Sequence, residues 1–243
     1  MAEFGLEATN NSNVVTISNN ARLLVFSERG TVNVRSSYSD RPGYGTVTLA
    51  KPIRTTATPE IFVRVASFNR ASVSVYFTFI GSPGNWTGFK ITAAAAGVNN
   101  LIDHVLEYVA CKYSDSPSAE DYGVEMYNEN GSGEVIFNST DAPALFDRFT
   151  KRWAHQSTSN GVGRYTSGLP VAADDFIGVS GFDRGAVFFG LADFAGVELI
   201  SASARVLNIT INHNPIYQLQ DPSMGQAFNF CMPVCKFPAS VYG

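Results

Sequence analysis

Ser72-Val73-Ser74-Val75-Tyr76-Phe77-Thr78-Phe79 alternates polar with apolar residues and then fills both faces with aromatics. Successive side chains of a strand point to opposite faces, so this run reads as a β-strand. One face lies in a core, and the far end is covered on both sides. Segments on either side share its character. Asn13 to Ile17, Thr31 to Val34, Thr46 to Leu49 and Ile61 to Val65 are short, rich in β-branched residues and bounded by Asn, Ser or Gly. Glu134 to Phe137, Ala186 to Phe189 and Val206 to Ile211 continue the pattern.

Helical periodicity is scarce. Asn99 to Tyr108 would pass as amphipathic, but Val105 to Ala110 fits a strand equally well. Asp141 to Trp153 would hold one helical turn after the start signal Asp141-Ala142-Pro143. Turn chemistry is dense, as in Arg41-Pro42-Gly43, Ser82-Pro83-Gly84-Asn85 and Asn130-Gly131-Ser132-Gly133. Short strands at this spacing predict an all-β chain of sandwich type, jelly-roll or immunoglobulin-like.

The 243 residues are 45% hydrophobic, which excludes an intrinsically disordered chain, and allow one large domain or two small ones. Only 16% are charged, against roughly 25% in ordinary domains, so neutral polar groups dress the surface. Net charge is −4, and the 12 Arg and 5 Lys are scattered, which argues against a nucleic-acid partner. No apolar run approaches the roughly 20 residues of a membrane helix. Met1-Ala2-Glu3-Phe4 lacks a basic n-region, so the expectation is a soluble chain without a signal peptide. Cys231 and Cys235 are four apart and Cys111 stands alone; with three His, none beside a Cys, the expectation is free thiols and no metal.

The two halves of the chain resemble each other. Glu3-Phe4-Gly5-Leu6-Glu7 returns as Asp121-Tyr122-Gly123-Val124-Glu125, offset by 118, and each copy leads through an Asn-rich turn to a short strand. Phe62 to Arg70 aligns with Phe176 to Arg184 at offset 114, Trp86 to Ile91 with Phe194 to Leu199 at 108, and Val105 to Val109 with Val206 to Thr210 at 101. The order is kept and the offset shrinks as loop deletions would make it. The expectation is therefore two tandem β-sandwich domains, residues 1–117 and 118–214, and an extended C-terminal arm over 215–243. That arm holds Pro215, Pro222, Pro233 and Pro238 among many aromatics. It would pack on its own or a neighbouring subunit, strand addition being one form. Residues 1–117 carry 10 Lys+Arg against 8 Asp+Glu and residues 118–243 carry 7 against 13, with only acidic charges from Glu120 to Asp147. Such a face either docks on a basic neighbour, steers a contact with the first half, or simply solubilises.

An N-terminal run Glu3-Phe4-Gly5-Leu6-Glu7, then Asn10, then the strand Val14 to Ile17 resembles small structural proteins of tailed bacteriophages, namely tail-tip, baseplate or tail-fibre-associated proteins. The run recurs at Asp121 to Glu125, Asn128 and Val135 to Phe137, so the resemblance covers about 25 residues of each half. Gly5 and Gly123 would sit where a strand begins and the backbone needs a positive φ or a close approach. Glu7 and Glu125 lie two residues on, pointing to the same side if the segment is extended. The resemblance implies a non-enzymatic virion component made in the host cytoplasm. Its partners would be other tail proteins and copies of itself, a trimer being favoured.

Enzyme signatures are sparse. Gly161-Val162-Gly163 lacks the helix and the Lys or acidic partner of a nucleotide site, and no Gly-x-Ser-x-Gly elbow occurs. Asp103-His104 has no supporting motif for a triad. Asp174-Asp175 and Glu120-Asp121 are adjacent, so in an extended chain their carboxylates face opposite ways, unlike a glycosidase pair. A glycan hydrolase ranks third, and no catalytic residue, cofactor or metal is assigned. Host-glycan or receptor binding is the closer rival. Trp86, in the turn Ser82 to Gly88, would be a stacking platform or else a core anchor, while Tyr38, Tyr44 and Tyr165 would lie in long polar loops as contact residues.

Overall fold

The computed structural model describes residues 5–9, 14–18, 22–35, 43–67, 72–95, 104–117, 120–128, 132–159, 162–180, 194–200, 205–212 and 228–243. Among these residues the secondary structure is strand, without helix. The strands are β1 (Gly5–Thr9), β2 (Val14–Ser18), β3 (Leu24–Val34), β4 (Gly43–Ile53), β5 (Glu60–Ser67), β6 (Ser72–Ser82), β7 (Asn85–Ala95) and β8 (His104–Tyr113). Then follow β9 (Glu125–Tyr127), β10 (Val135–Asn138), β11 (Phe146–Ser159), β12 (Val162–Val171), β13 (Asp175–Gly178), β14 (Phe194–Ile200), β15 (Arg205–Asn212) and β16 (Phe228–Lys236). The segment Val105 to Ala110, open to either reading, is strand. Apart from the ion-paired Glu107 it is apolar on both faces, because both faces are covered. The helical turn expected after Asp141 is absent: Pro143 instead bridges to Val25, and the chain runs straight into β11. The expected strand at Ala186 to Phe189 lies outside the described residues.

Twelve strands follow one hydrogen-bonded order, β3-β8-β5-β13-β16-β11-β12-β15-β14-β6-β7-β4, while β1-β2 and β9-β10 form separate two-stranded pairs. Every pairing is antiparallel. β11 joins the two sides of the order, its first part pairing with β16 and its last part with β12. The two ends also meet, because Arg35 and Tyr44 each donate a backbone N–H to the other's carbonyl, at 3.1 and 2.9 Å.

The residues buried between the two sides explain why they face each other. Val32, Val63, Leu106 and Val234 come from one side, Val47, Phe77, Phe89 and Ile91 from the other, and all belong to one buried cluster. The Phe89 ring meets Tyr108 edge-on at 5.2 Å across the layer. The side containing β5, β8, β13 and β16 is also covered outside. Alternate residues Phe62, Val109, Cys111, Phe176 and Cys235 form a second cluster under Leu24, Ala144, Phe237 and Tyr242. At its rim Glu107 pairs with both Arg29 and Arg64, whose guanidiniums lie 5.5 and 4.7 Å from the Phe176 ring centre.

The expected division into sandwiches at 1–117 and 118–214 with an arm at 215–243 does not describe this order. β5 pairs with β13, placing Val63 opposite Ile177, and β6 pairs with β14, so both halves share each side. Part of the expected arm, β16, is an interior strand between β13 and β11. The physical reason is edge exposure: each half supplies three strands to each side, and the unpaired backbone of β5 and β6 finds its partner in the other half. Proline suggested an arm because it cannot donate to a ladder. Here Pro233 sits opposite Phe149, and register shifts in β11 on both sides of Phe149 relieve the pairing. Gly178 is needed beside it, since a Cβ there would come 2.5 Å from the Pro233 ring.

The strand order also has an internal correspondence. Raising each number by eight turns β3-β8-β5 into β11-β16-β13 and β4-β7-β6 into β12-β15-β14, which are the segments observed. On that basis the alignments of Trp86 to Ile91 and Val105 to Val109 were one strand out of step. They matched β7 to β14 and β8 to β15, whereas the strand order matches them to β15 and β16. Short aliphatic strands are too alike to keep register by themselves.

Because the halves share both clusters, thermal unfolding is expected as a single calorimetric transition, with van't Hoff and calorimetric enthalpies equal. Phe62→Ala, which empties a fully buried site in contact with the second half, should lower stability by about 3–5 kcal/mol while keeping one transition. Two resolved transitions would mean that the halves fold independently.

Candidate functional site

On the outer face of β5, β11, β13 and β16 the chain leaves a cleft of about 510 Å³, within the roughly 300–1,000 Å³ range of ligand sites. Its apolar wall includes Leu24, Ala144, Phe146, Phe149, Met232 and Pro233; Arg22, Glu60, Tyr113 and Cys231 supply its polar groups. Phe146 and Phe149 are three apart and would face opposite ways in a regular strand. The extra residue Asp147 shifts the register, so both lie opposite residues of the outer face, Cys235 and Pro233. They remain nearly half exposed, with ring centres 5.2 Å apart, and Leu145 beside them is equally exposed. Large apolar groups clustered in the open are costly to solvate, which makes this face the candidate binding surface.

Glu60 opens β5 at the cleft. Burial pushes its carboxyl above the ordinary value of 4.5, and the Ser180 hydroxyl only partly offsets this. Cys231 is exposed, whereas Cys111 and Cys235 are buried, and all three are free thiols. Burial drives the Cys111 thiol well up, with Cys235 and Glu60 adding to it, and pushes Cys235 up to about 12. Arg22 is engaged by Glu134, a contact through which the acidic stretch of the second half reaches the first. Chemically the cleft can hold an apolar or aromatic group and offer it a carboxyl, a phenol and backbone carbonyls.

The residues singled out from sequence fall elsewhere. Trp86 is buried, donates its indole N–H to the Thr55 carbonyl at 3.0 Å and meets Phe79 edge-on, so it anchors the core and cannot be a stacking platform. Its hairpin needs Gly81, at φ +118°, where a Cβ would meet the Asn85 carbonyl at 2.2 Å. Tyr165 lies in β12, buried against His155, and Tyr44 lies in β4, half exposed with the Lys90 ammonium 4.5 Å over its ring. Neither therefore belongs to a long polar loop: each is held by strand pairing. Tyr38 lies outside the described residues, and so do Asp103 and Gly161, while His104 begins β8 opposite Val34.

Asp174 and Asp175 diverge. Asp174 is exposed and bonded to Lys236 at 2.5 Å, whereas the Asp175 side chain is fully buried, taking Arg148 at 2.6 Å and the Ala172 N–H at 2.7 Å. The Lys236 ammonium is 3.6 Å from the remaining Asp175 oxygen, which has no hydrogen bond. These carboxylates tie the start of β13 to β11 and β16. Glu120 and Asp121 are exposed. Gly123 does lie at a close approach, a Cβ there coming 2.4 Å from the Ser139 hydroxyl, and Glu125 accepts from Tyr127. Gly5 and Glu7 fall in β1.

None of the cleft's aromatics was singled out from sequence. Phe146 and Phe149 lay in a stretch with a helix-start signal, and only the bulge at Asp147 brings them to one face.

The raised carboxyl of Glu60 fixes the sign of a pH effect. Its folded value lies above its unfolded one, so its stabilising contribution is complete below the unfolded value and is lost as pH rises through the folded value. Glu60→Gln should therefore melt above the parent at about pH 7, and the gap should close by about pH 4. An equal gap at both pH values would place Glu60 in water.

The chain matches no family model, no curated protein and no solved structure.

Proposed function

We propose that this chain is a non-enzymatic structural component of a bacteriophage tail tip or baseplate, assembling with other tail proteins for host attachment. The open apolar cleft flanked by Phe146 and Phe149 carries the binding part of this reading, because half-exposed aromatics around a preformed cleft suit a protein partner. The likeness of Glu3 to Ile17 and of Asp121 to Phe137 to tail proteins supplies the setting. Each of these segments contributes to a two-stranded antiparallel pair, β1 with β2 and β9 with β10. Tyr122, Val124 and Tyr127 stand exposed there, a second apolar surface available for assembly.

In this reading the chain is built from two sandwich-like units of related sequence, interlocked through β5–β13 and β6–β14. Further copies of the chain, three being favoured, would match the symmetry of a tail.

Quantitative mass spectrometry of gradient-purified phage particles tests the proposal. The chain should be present at a fixed copy number, a multiple of three, relative to the other tail proteins. Abundance in the infected-cell lysate without any in the particles would overturn it.

A further inference from the structure

The correspondence between the halves extends from strand order to individual residues. The register of β3 slips at Ser27, between the pairs Phe26–Cys111 and Glu28–Ala110. The register of β11 slips at Asp147, between Phe146–Cys235 and Arg148–Val234. The chain opposite carries Cys-Lys followed by an aromatic each time, Cys111-Lys112-Tyr113 in one case and Cys235-Lys236-Phe237 in the other. Phe26 thus corresponds to Phe146, Leu24 to Ala144 and Tyr113 to Phe237.

These equivalences give the cleft a counterpart within the same chain. At the Phe26 side, Tyr242 is buried with its ring centre 5.8 Å from Phe26 and 5.0 Å from Phe237. Its hydroxyl donates to the Pro143 carbonyl at 2.7 Å. The chain reaches this pocket by a tight turn, the N–H groups of Val241 and Tyr242 both donating to the Pro238 carbonyl at 3.0 Å. At the Phe146 side, the corresponding aromatics Phe146 and Tyr113 line the open cleft, and Leu23 stands where the other side has Pro143. Among the described residues of the first half, no tyrosine is placed there in the way that Tyr242 is. After Tyr113 the Ser114 N–H donates to the Leu23 carbonyl at 2.8 Å and its hydroxyl to Asp141 at 2.5 Å.

We propose that this cleft is a docking site for a turn-forming segment of a partner protein, which seats a tyrosine side chain between Phe146 and Tyr113 with its hydroxyl toward the Leu23 carbonyl, as a second donor beside the Ser114 N–H. The chemistry is read from Tyr242 in the corresponding pocket: an aromatic ring against two rings, and one donor for a backbone carbonyl. The chain's own tail is not the occupant. Tyr242 is already buried and hydrogen-bonded, so moving it into the cleft of a second copy would empty one aromatic pocket to fill another. The inference deepens the binding role proposed above and does not depend on the particle in which the protein works.

Cys231 reports occupancy, because it lines the cleft and is exposed while Cys111 and Cys235 are buried. Its alkylation by N-ethylmaleimide is followed by intact mass on the full-length chain, with increasing amounts of a synthetic peptide of sequence Lys236 to Gly243. The peptide should slow alkylation at least five-fold and saturably. The same peptide carrying Tyr242→Ala, or the protein variant Phe149→Ser, should abolish that protection. Phe149 is half exposed, so its replacement leaves the fold intact, as circular dichroism would confirm. A peptide that merely displaced the chain's own tail would be indifferent to Phe149→Ser. Absence of protection, equal protection by both peptides, or self-association of the full chain that requires Tyr242 would each overturn the proposal. None of these outcomes bears on whether the chain is present in virions.

Discussion

The pairing of β5 with β13 is the contact on which the rest of the architecture depends. Val63 lies opposite Ile177 and Phe62 opposite Gly178, so a strand from each half shares a ladder at the middle of one side. Without it each half would present a three-stranded layer with an open edge, and the backbone groups of β5 and β13 would need water as partner. With it, β5 and β13 become interior strands whose side chains are buried on both faces. The second cluster then forms on the outer face, Phe62 meeting Phe237 at 5.1 Å and Phe237 meeting Phe176 edge-on at 5.5 Å. Residues from the two ends of the chain are thereby packed in one cluster.

That arrangement explains which parts of the fold sequence reading could reach. Alternation exposed β6 and much of β3, β4 and β5, because each has a distinct inward face and period two is unambiguous there. β8 was ambiguous between helix and strand for a related reason: a strand buried on both faces loses its alternation, and Leu106, Val109 and Ala110 are all buried. β16 was hidden by Pro233 within it and by the prolines on either side. An interior strand containing Pro233 is possible only because β11 shifts register on both sides of it and Gly178 leaves room for the ring. Those are properties of the neighbours and cannot be seen in the strand's own residues.

Interlocking of the halves was hidden in the same way. Similarity between Phe62 to Arg70 and Phe176 to Arg184 suggested two units, and two units in succession read most simply as two separate domains. Sequence similarity carries no information about whether related strands lie in separate sheets or pair with each other. The informative signal was a shorter one, Cys-Lys followed by an aromatic at Cys111 and again at Cys235. It aligns β8 with β16, and it would have drawn the supposed arm into the sheet. The cleft depends on that same geometry, with Leu24, Glu60 and Tyr113 from one half facing Phe146, Phe149 and Cys231 from the other.

Related halves need not have equivalent surroundings, and here the segments that follow Tyr113 and Phe237 take different courses. The first half must hand its chain to the second, so the residues after Tyr113 lead away and are pinned by Leu23 and Asp141. The residues after Phe237 instead turn back and bury Tyr242. Among the described residues, one of two corresponding aromatic pockets is filled from within and the other is an open cleft. A surface carrying Leu145, Phe146 and Phe149 half exposed is costly in water, and the proposed docking of a second polypeptide would remove that cost.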